Sequence, residues 1–181
     1  MPRPPLNERP LAFLDTETTG LDPREQEVIE VAIIKEWPDG RVEEWSTKVR
    51  PQRIENAHPR ALEVNGYKER QADWDDAPTF DEVAPIIVAK LDGCIIVGHN
   101  PKFDLDFLGE GLKRAGSLGK LPYHAVDTVT LVYEHLVPKG CPSLSLDQVR
   151  RFLGWSHEGA HTALVDTRDC RRLYHQLTGT A

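Results

Sequence analysis

Asp15 and Glu17 stand two residues apart at the end of an apolar run, LAFLDTE. On a strand, positions two apart point to the same face. Two carboxylates aimed one way repel each other unless something positive sits between them. One reading is a strand end that emerges into solvent, because charged groups are seldom buried unpaired. The other is a hard-cation site, since Mg²⁺ or Mn²⁺ takes carboxylate oxygens and keeps waters. Further ligands are available. Asp104 and Asp106 follow the GHN of residues 98–100 by about one helical turn. They cannot share a helix face, and Asp104, nearer the helix start, is expected to face the strand end. Asp166 falls in the first turns of the last expected helix. Either aspartate alone reads as a solvated helix residue, so the weight comes from the set.

A second motif competes. HEGAH, His157 to His161, has the form of a zinc-protease signature. That chemistry needs both histidines on one helical turn with Glu158 as base. Gly159 costs about 1 kcal/mol relative to alanine inside a helix, and apolar periodicity resumes after it. The two histidines are therefore not expected to share a helix. His161 precedes Asp166 by five residues, well off one helical face. For both to serve one site, His161 belongs in the loop before the helix and Asp166 inside it. His157 and Glu158 receive no role.

The elements that must position these groups follow from patterning. LAFLDTE reads as a buried strand, and Val28 to Trp37 and Arg41 to Val49 as two more, with Pro38-Asp39-Gly40 as a hairpin turn. Pro51 to Pro78 is irregular, with a short helix near Arg60 to Val64. Thr79 and Glu82 form a capping box for a helix to Leu91, with Pro85 expected to kink it or delay its start. CIIVGHN is a short strand. Asn100 as cap and Pro101 in the first turn open a helix to Ala115. Val126 and Asp127 end another strand, Thr128 caps a helix to Leu136, and Ser145 with Gln148 caps one to Leu153. The final helix runs from Thr162 to Leu177. Strands lead and helices alternate afterwards, which implies an α/β layered fold with a mixed sheet. Residues 1–10 read as a flexible lead-in and 11–178 as a single domain.

Composition narrows the class. The chain has 181 residues, 28% charged and 39% hydrophobic, with mean hydropathy −0.46. No apolar stretch is long enough to span a bilayer, and MPRPPLNERP lacks the apolar run of a secretion signal. Three scattered cysteines without a CxxC pair argue against a disulfide framework. A reduced cytoplasmic protein with no membrane association is expected. The net charge of −7 argues against a sequence-independent duplex clamp. It leaves room for an enzyme that grips nucleotides through bound cations. Arg150, Arg151, Arg168, Arg171 and Arg172 read as solvent faces of two helices rather than phosphate contacts.

FLDTETTGLD, GHNPKFDLDFL and HTALVD together resemble, in order, the three sequence blocks of the DnaQ-like (DEDDh) 3′–5′ exonucleases. VIEVAII, the DT at Asp127 and SLSLDQVRRFLGW also fit, so the likeness runs from about Leu11 to Leu177. The resemblance implies a ribonuclease H-like fold, a five-stranded mixed sheet flanked by helices. It implies that Asp15, Glu17, Asp104 and Asp166 bind two divalent cations, Mg²⁺ or Mn²⁺, and that His161 is the general base. Such ions, roughly 3.5–4 Å apart, lower the pKa of the attacking water and take charge on the departing 3′-oxygen. An imidazole with an ordinary pKa of about 6.5 suits the proton transfer. Thr18, Gly20, Leu21 and Asn100 become candidates for holding the substrate, and Phe103 for core or stacking. Val64-Asn65-Gly66 resembles a substrate loop. The expected substrate is the 3′ end of single-stranded nucleic acid, DNA before RNA, released as nucleoside 5′-monophosphates. TETTG in place of LEMTG leans away from oligoribonuclease-type specificity. The chain ends at Ala181 soon after the last expected helix, which leans toward a stand-alone enzyme over a polymerase subunit; a DNA polymerase partner and a homodimer stay open. So do an RNA 3′-end trimming exoribonuclease, a non-catalytic nucleic-acid-binding module of the same fold, and the HExxH zinc protease.

Overall fold

The computed structural model describes residues 4–180. Five strands form one mixed sheet in the order β3-β2-β1-β4-β5. They are β1 Leu11–Thr18, β2 Val28–Glu36, β3 Val42–Lys48, β4 Ile95–Gly98 and β5 Ala125–Asp127. The first three run antiparallel, as the hairpin signals lead one to expect. Gly40 closes the β2–β3 turn with φ 86°, a conformation glycine adopts without steric cost. β4 then adds to β1, and β5 to β4, in parallel.

Among the described residues six α-helices flank the sheet: α1 Pro59–Val64, α2 Phe80–Leu91, α3 Pro101–Arg114, α4 Thr128–His135, α5 Leu146–Leu153 and α6 Ala163–Thr178. Strand alternation assigns the layers. Ala12 and Leu14 of β1 pack with Val83, Ile87 and Leu91 of α2 and with Phe107 and Leu108 of α3. Phe13, on the opposite face, packs with Cys170 and Tyr174 of α6. Full burial of a side chain such as Phe13 contributes about 1.5–3 kcal/mol. A separate cluster joins Val132 of α4, Leu146 and Val149 of α5, Trp155, and Leu173 of α6.

One helix cap differs from expectation, and two others stand where expected. Thr128 does not cap α4. Asp127 does, its Oδ1 accepting the Val129 N–H at 2.9 Å, because Asp127 still has extended backbone while Thr128 is already helical. Thr128 is buried and its hydroxyl donates to the Gly98 carbonyl at 3.1 Å. α2 starts at Phe80 and continues through Pro85 to Leu91, held at its start by the Glu82 carboxylate accepting the Thr79 N–H at 2.7 Å. Ser145 caps α5 in one direction: it accepts the Gln148 N–H, while the Gln148 amide donates to Asp147. Of the expected lead-in, residues 1–3 lie outside the described residues. Leu6–Glu8 forms a 3₁₀ turn, and Pro10 accepts the Ile95 N–H at 2.9 Å. Among the described residues no helix is long and apolar enough to cross a membrane.

Candidate active site

β4 pairs with β1 only from Leu11 to Phe13, so Asp15 and Glu17 lie beyond its end. On the other side they pair with Ala32 and Glu30 of β2, and the register shifts after Glu17. Both share the face of Phe13, which α6 covers. Asp166 lies in the first turn of α6. One carboxylate oxygen each from Asp15, Glu17 and Asp166 lie within 4.8 Å of one another. Asp104 approaches from the opposite layer, on the first turn of α3. It is 3% exposed, and its Oδ1 accepts the hydroxyl of Thr16 at 2.7 Å. Asp104 stands outside the tight trio, yet its charge acts on Asp15 and Glu17. Asp106 instead pairs with Lys102 at the surface, as the helical phase predicts.

Crowding shows in the acidities. Burial, then the charges of Asp104, Asp166 and Glu17, hold the Asp15 carboxyl well above the ordinary range. Burial and then Asp166, Glu30 and Asp104 push Glu17 up to about 8. Burial lifts Asp104 to about 7 against the Thr16 hydrogen bonds. It also raises Asp166, with Arg150 pulling the other way. Grouped carboxylates that resist ionising are the oxygen donors a hard divalent cation takes, and its charge would reverse these shifts. The donor set therefore fits magnesium-type ions, with Asp15, Glu17 and Asp166 gathered and Asp104 adjacent.

HEGAH lies in turns, not in a helix. His157 faces Asp147, Nδ1 to Oδ1 3.2 Å. His161 is exposed with φ 64°, and its backbone N–H donates to Asp166 Oδ1 at 3.2 Å. A non-glycine residue in this left-handed region is strained, and Asn100 is another, with φ 68°. Asn100 occupies the cap position of α3 without a side-chain capping bond; Asp127 Oδ1 accepts its backbone N–H at 3.0 Å. The two-histidine zinc arrangement is thus not formed, and the sharp turn that Gly159 allows, φ 74°, sets His161 beside Asp166.

A groove of about 470 Å³ opens beside Glu17, and Thr18, Gly20, Leu21 and Phe103 line it, Phe103 also packing against the core. Asn100 is not among its lining residues. Leu21 is 82% exposed at the groove's edge, an apolar surface open to a ligand. A Cβ at Gly20 would lie 2.0 Å from the tip of the Gln26 side chain, which would have to move aside. The far wall is α1, with His58, Ala61, Val64 and Asn65. Asn65 ties this wall to β1 by donating to the Thr18 carbonyl at 3.0 Å. Arg150 corrects the sequence reading. It is 1% exposed rather than on a solvent face, and it pairs with Asp166 and Asp169. The missed signal is its place on the stripe Leu146, Val149, Arg150, Leu153, spaced i, i+3, i+4, i+7.

The sequence model of the RNase T exonuclease family matches residues 12–174. The chain belongs to the DnaQ-like exonuclease family. This exonuclease is 35% identical over 156 residues to the PolC-type DNA polymerase III of Thermotoga petrophila, covering 86% of the chain and 11% of that protein. It is 28% identical over 163 residues to the DNA polymerase III subunit epsilon of Treponema pallidum, covering 88% and 72%. Its fold matches exonuclease I with TM-score 0.79 at 21% identity, over 95% of this chain and 41% of that one. The exonuclease thus spans about a tenth of its PolC-type relatives. Asp15 falls near the start of the matched family span and Asp166 near its end.

Proposed function

We propose that this chain removes nucleotides from the 3′ end of single-stranded DNA as 5′-monophosphates. The observation that carries the reading is the convergence of Asp15, Glu17 and Asp166 oxygens within 4.8 Å, beside buried Asp104 and an open groove. Asp15, Glu17, Asp104 and Asp166 would hold two divalent cations. When bound, these ions supply the charge that acidifies the attacking water and stabilises the departing 3′-oxygen. His161, exposed on its turn, takes the water's proton as oxygen attacks phosphorus and the bond to the 3′-oxygen breaks. Leu21, Val64 and Phe103 offer apolar surfaces to the terminal bases, where stacking is worth about 1–3 kcal/mol per base. A paired end must fray before it enters the groove, which selects single strands. An exonuclease I structure in complex with a dT13 oligonucleotide, a match at TM-score 0.75, supports the DNA preference. The DNA polymerase III names of the relatives support a place in replication or repair, beside a polymerase.

The test incubates end-labelled single-stranded DNA and RNA with the protein and Mg²⁺. Laddering from the 3′ end of DNA is expected, abolished by Asp15→Ala in a protein that remains folded. An Asp15→Ala variant that digests as fast as the parent overturns the site. Digestion of RNA alone points to the exoribonuclease instead.

A further inference from the structure

Arg150 is among the largest fully buried side chains of the molecule. Taking a guanidinium out of water costs several kcal/mol unless partners compensate it. Here two carboxylates do so: Nε donates to Asp169 Oδ2 at 2.6 Å and Nη2 to Asp166 Oδ1 at 2.7 Å. The same Asp166 oxygen accepts the backbone N–H of His161. Asp166 Oδ2 has no hydrogen-bond partner among the described residues. A continuous contact path therefore runs Asp169, Arg150, Asp166, His161.

We propose that Arg150 is a positioning residue: braced by Asp169, its planar fork fixes the Asp166 carboxylate and, through it, the strained His161 turn. The inference rests on the exonuclease reading above. Two observations separate it from simple gluing of α5 to α6. Leu146 and Val149 dock α5 against Leu173 and Trp155, so the helices share an apolar contact besides the arginine. And the left-handed His161 needs an external tether, since a non-glycine residue is strained in that conformation. The tether ends on the oxygen that Arg150 holds. A fork that bridges two carboxylates is specific to arginine; lysine keeps the charge but is a single point donor.

The experiment uses the full chain with Arg150→Lys and, separately, Asp169→Asn. Circular dichroism checks the fold. Expected for Arg150→Lys is a kcat on a single-stranded oligonucleotide lower by about tenfold or more, with KM nearly unchanged. Mn²⁺ affinity, read by calorimetric titration of the metal-free protein, should fall by about tenfold; loss of an outer partner of a ligand typically costs 10–100-fold. Asp169→Asn, which removes the brace alone, should move both readouts the same way by less, and it decides the matter if the lysine variant does not fold. Parental kcat and Mn²⁺ affinity in a folded variant overturn the proposal. So does an activity loss that merely tracks the folded fraction. A parent protein that neither binds Mn²⁺ nor digests DNA sinks the exonuclease reading itself, which is a different result.

Discussion

Replacing Glu17 by glutamine should destroy the activity and, in the absence of divalent ions, stabilise the fold. Its partners' oxygens lie within 4.8 Å, where a like-charge pair costs about 3–4 kcal/mol at an effective dielectric of about 20. Burial is the larger cause, and together with the neighbouring charges it raises the carboxyl from 4.5 to about 8. The fold thus favours the protonated acid. That contribution is fully present below pH 4.5 and is lost as pH rises through about 8. At about 1.4 kcal/mol per unit, the parent carries roughly 4 kcal/mol of destabilisation from this group at pH 8. The amide removes it and gives back about 1 kcal/mol as an unpartnered polar group. A net gain of about 3 kcal/mol corresponds to a rise in melting temperature of about 6–12 °C for a domain of this size. Thermal and urea unfolding in chelator, at pH 8 and pH 5, measure it. The gain should vanish at pH 5, where the parent's carboxyl is already protonated. Saturating Mg²⁺ should stabilise the parent far more than the variant. A glutamine variant no more stable than the parent at pH 8, or equally favoured at pH 5, would refute the picture of a repulsive, cation-seeking cluster.

Two further outcomes are expected. His161→Gln should lower kcat by about 10²–10⁴ while calorimetry shows Mn²⁺ binding unchanged, since the side chain accepts a proton rather than holding an ion. Thr16→Val removes the 2.7 Å hydrogen bond to buried Asp104. It should cost about 1–3 kcal/mol in urea unfolding and weaken Mg²⁺ binding about tenfold in a metal titration.

Much of this site is legible from residue types and spacing. The two-residue interval of Asp15 and Glu17 gives a shared face on any strand. Helical phase picks Asp104 over Asp106, and the observed partners, Thr16 and Lys102, agree with that choice. Gly159 rules against a helical HEGAH. The parallel joining of β4 to β1 was not legible, because it depends on contacts between distant segments that no local period records. Arg150 was misread for a related reason. Beside Arg151 it looks like a surface pair, and the acids that make its burial tolerable lie a whole turn and helix further along. Backbone strain at Asn100 and His161 leaves no mark in composition, since neither is glycine.

The acids of the cluster come from β1 and α6, the first strand and the last helix among the described residues, with Asp104 on α3 between them. Synthesis proceeds from the first strand onward and folding tends to follow it. Asp15, Glu17 and Asp104 therefore precede Asp166 and His161, and the acids gather only where α6 packs against β1.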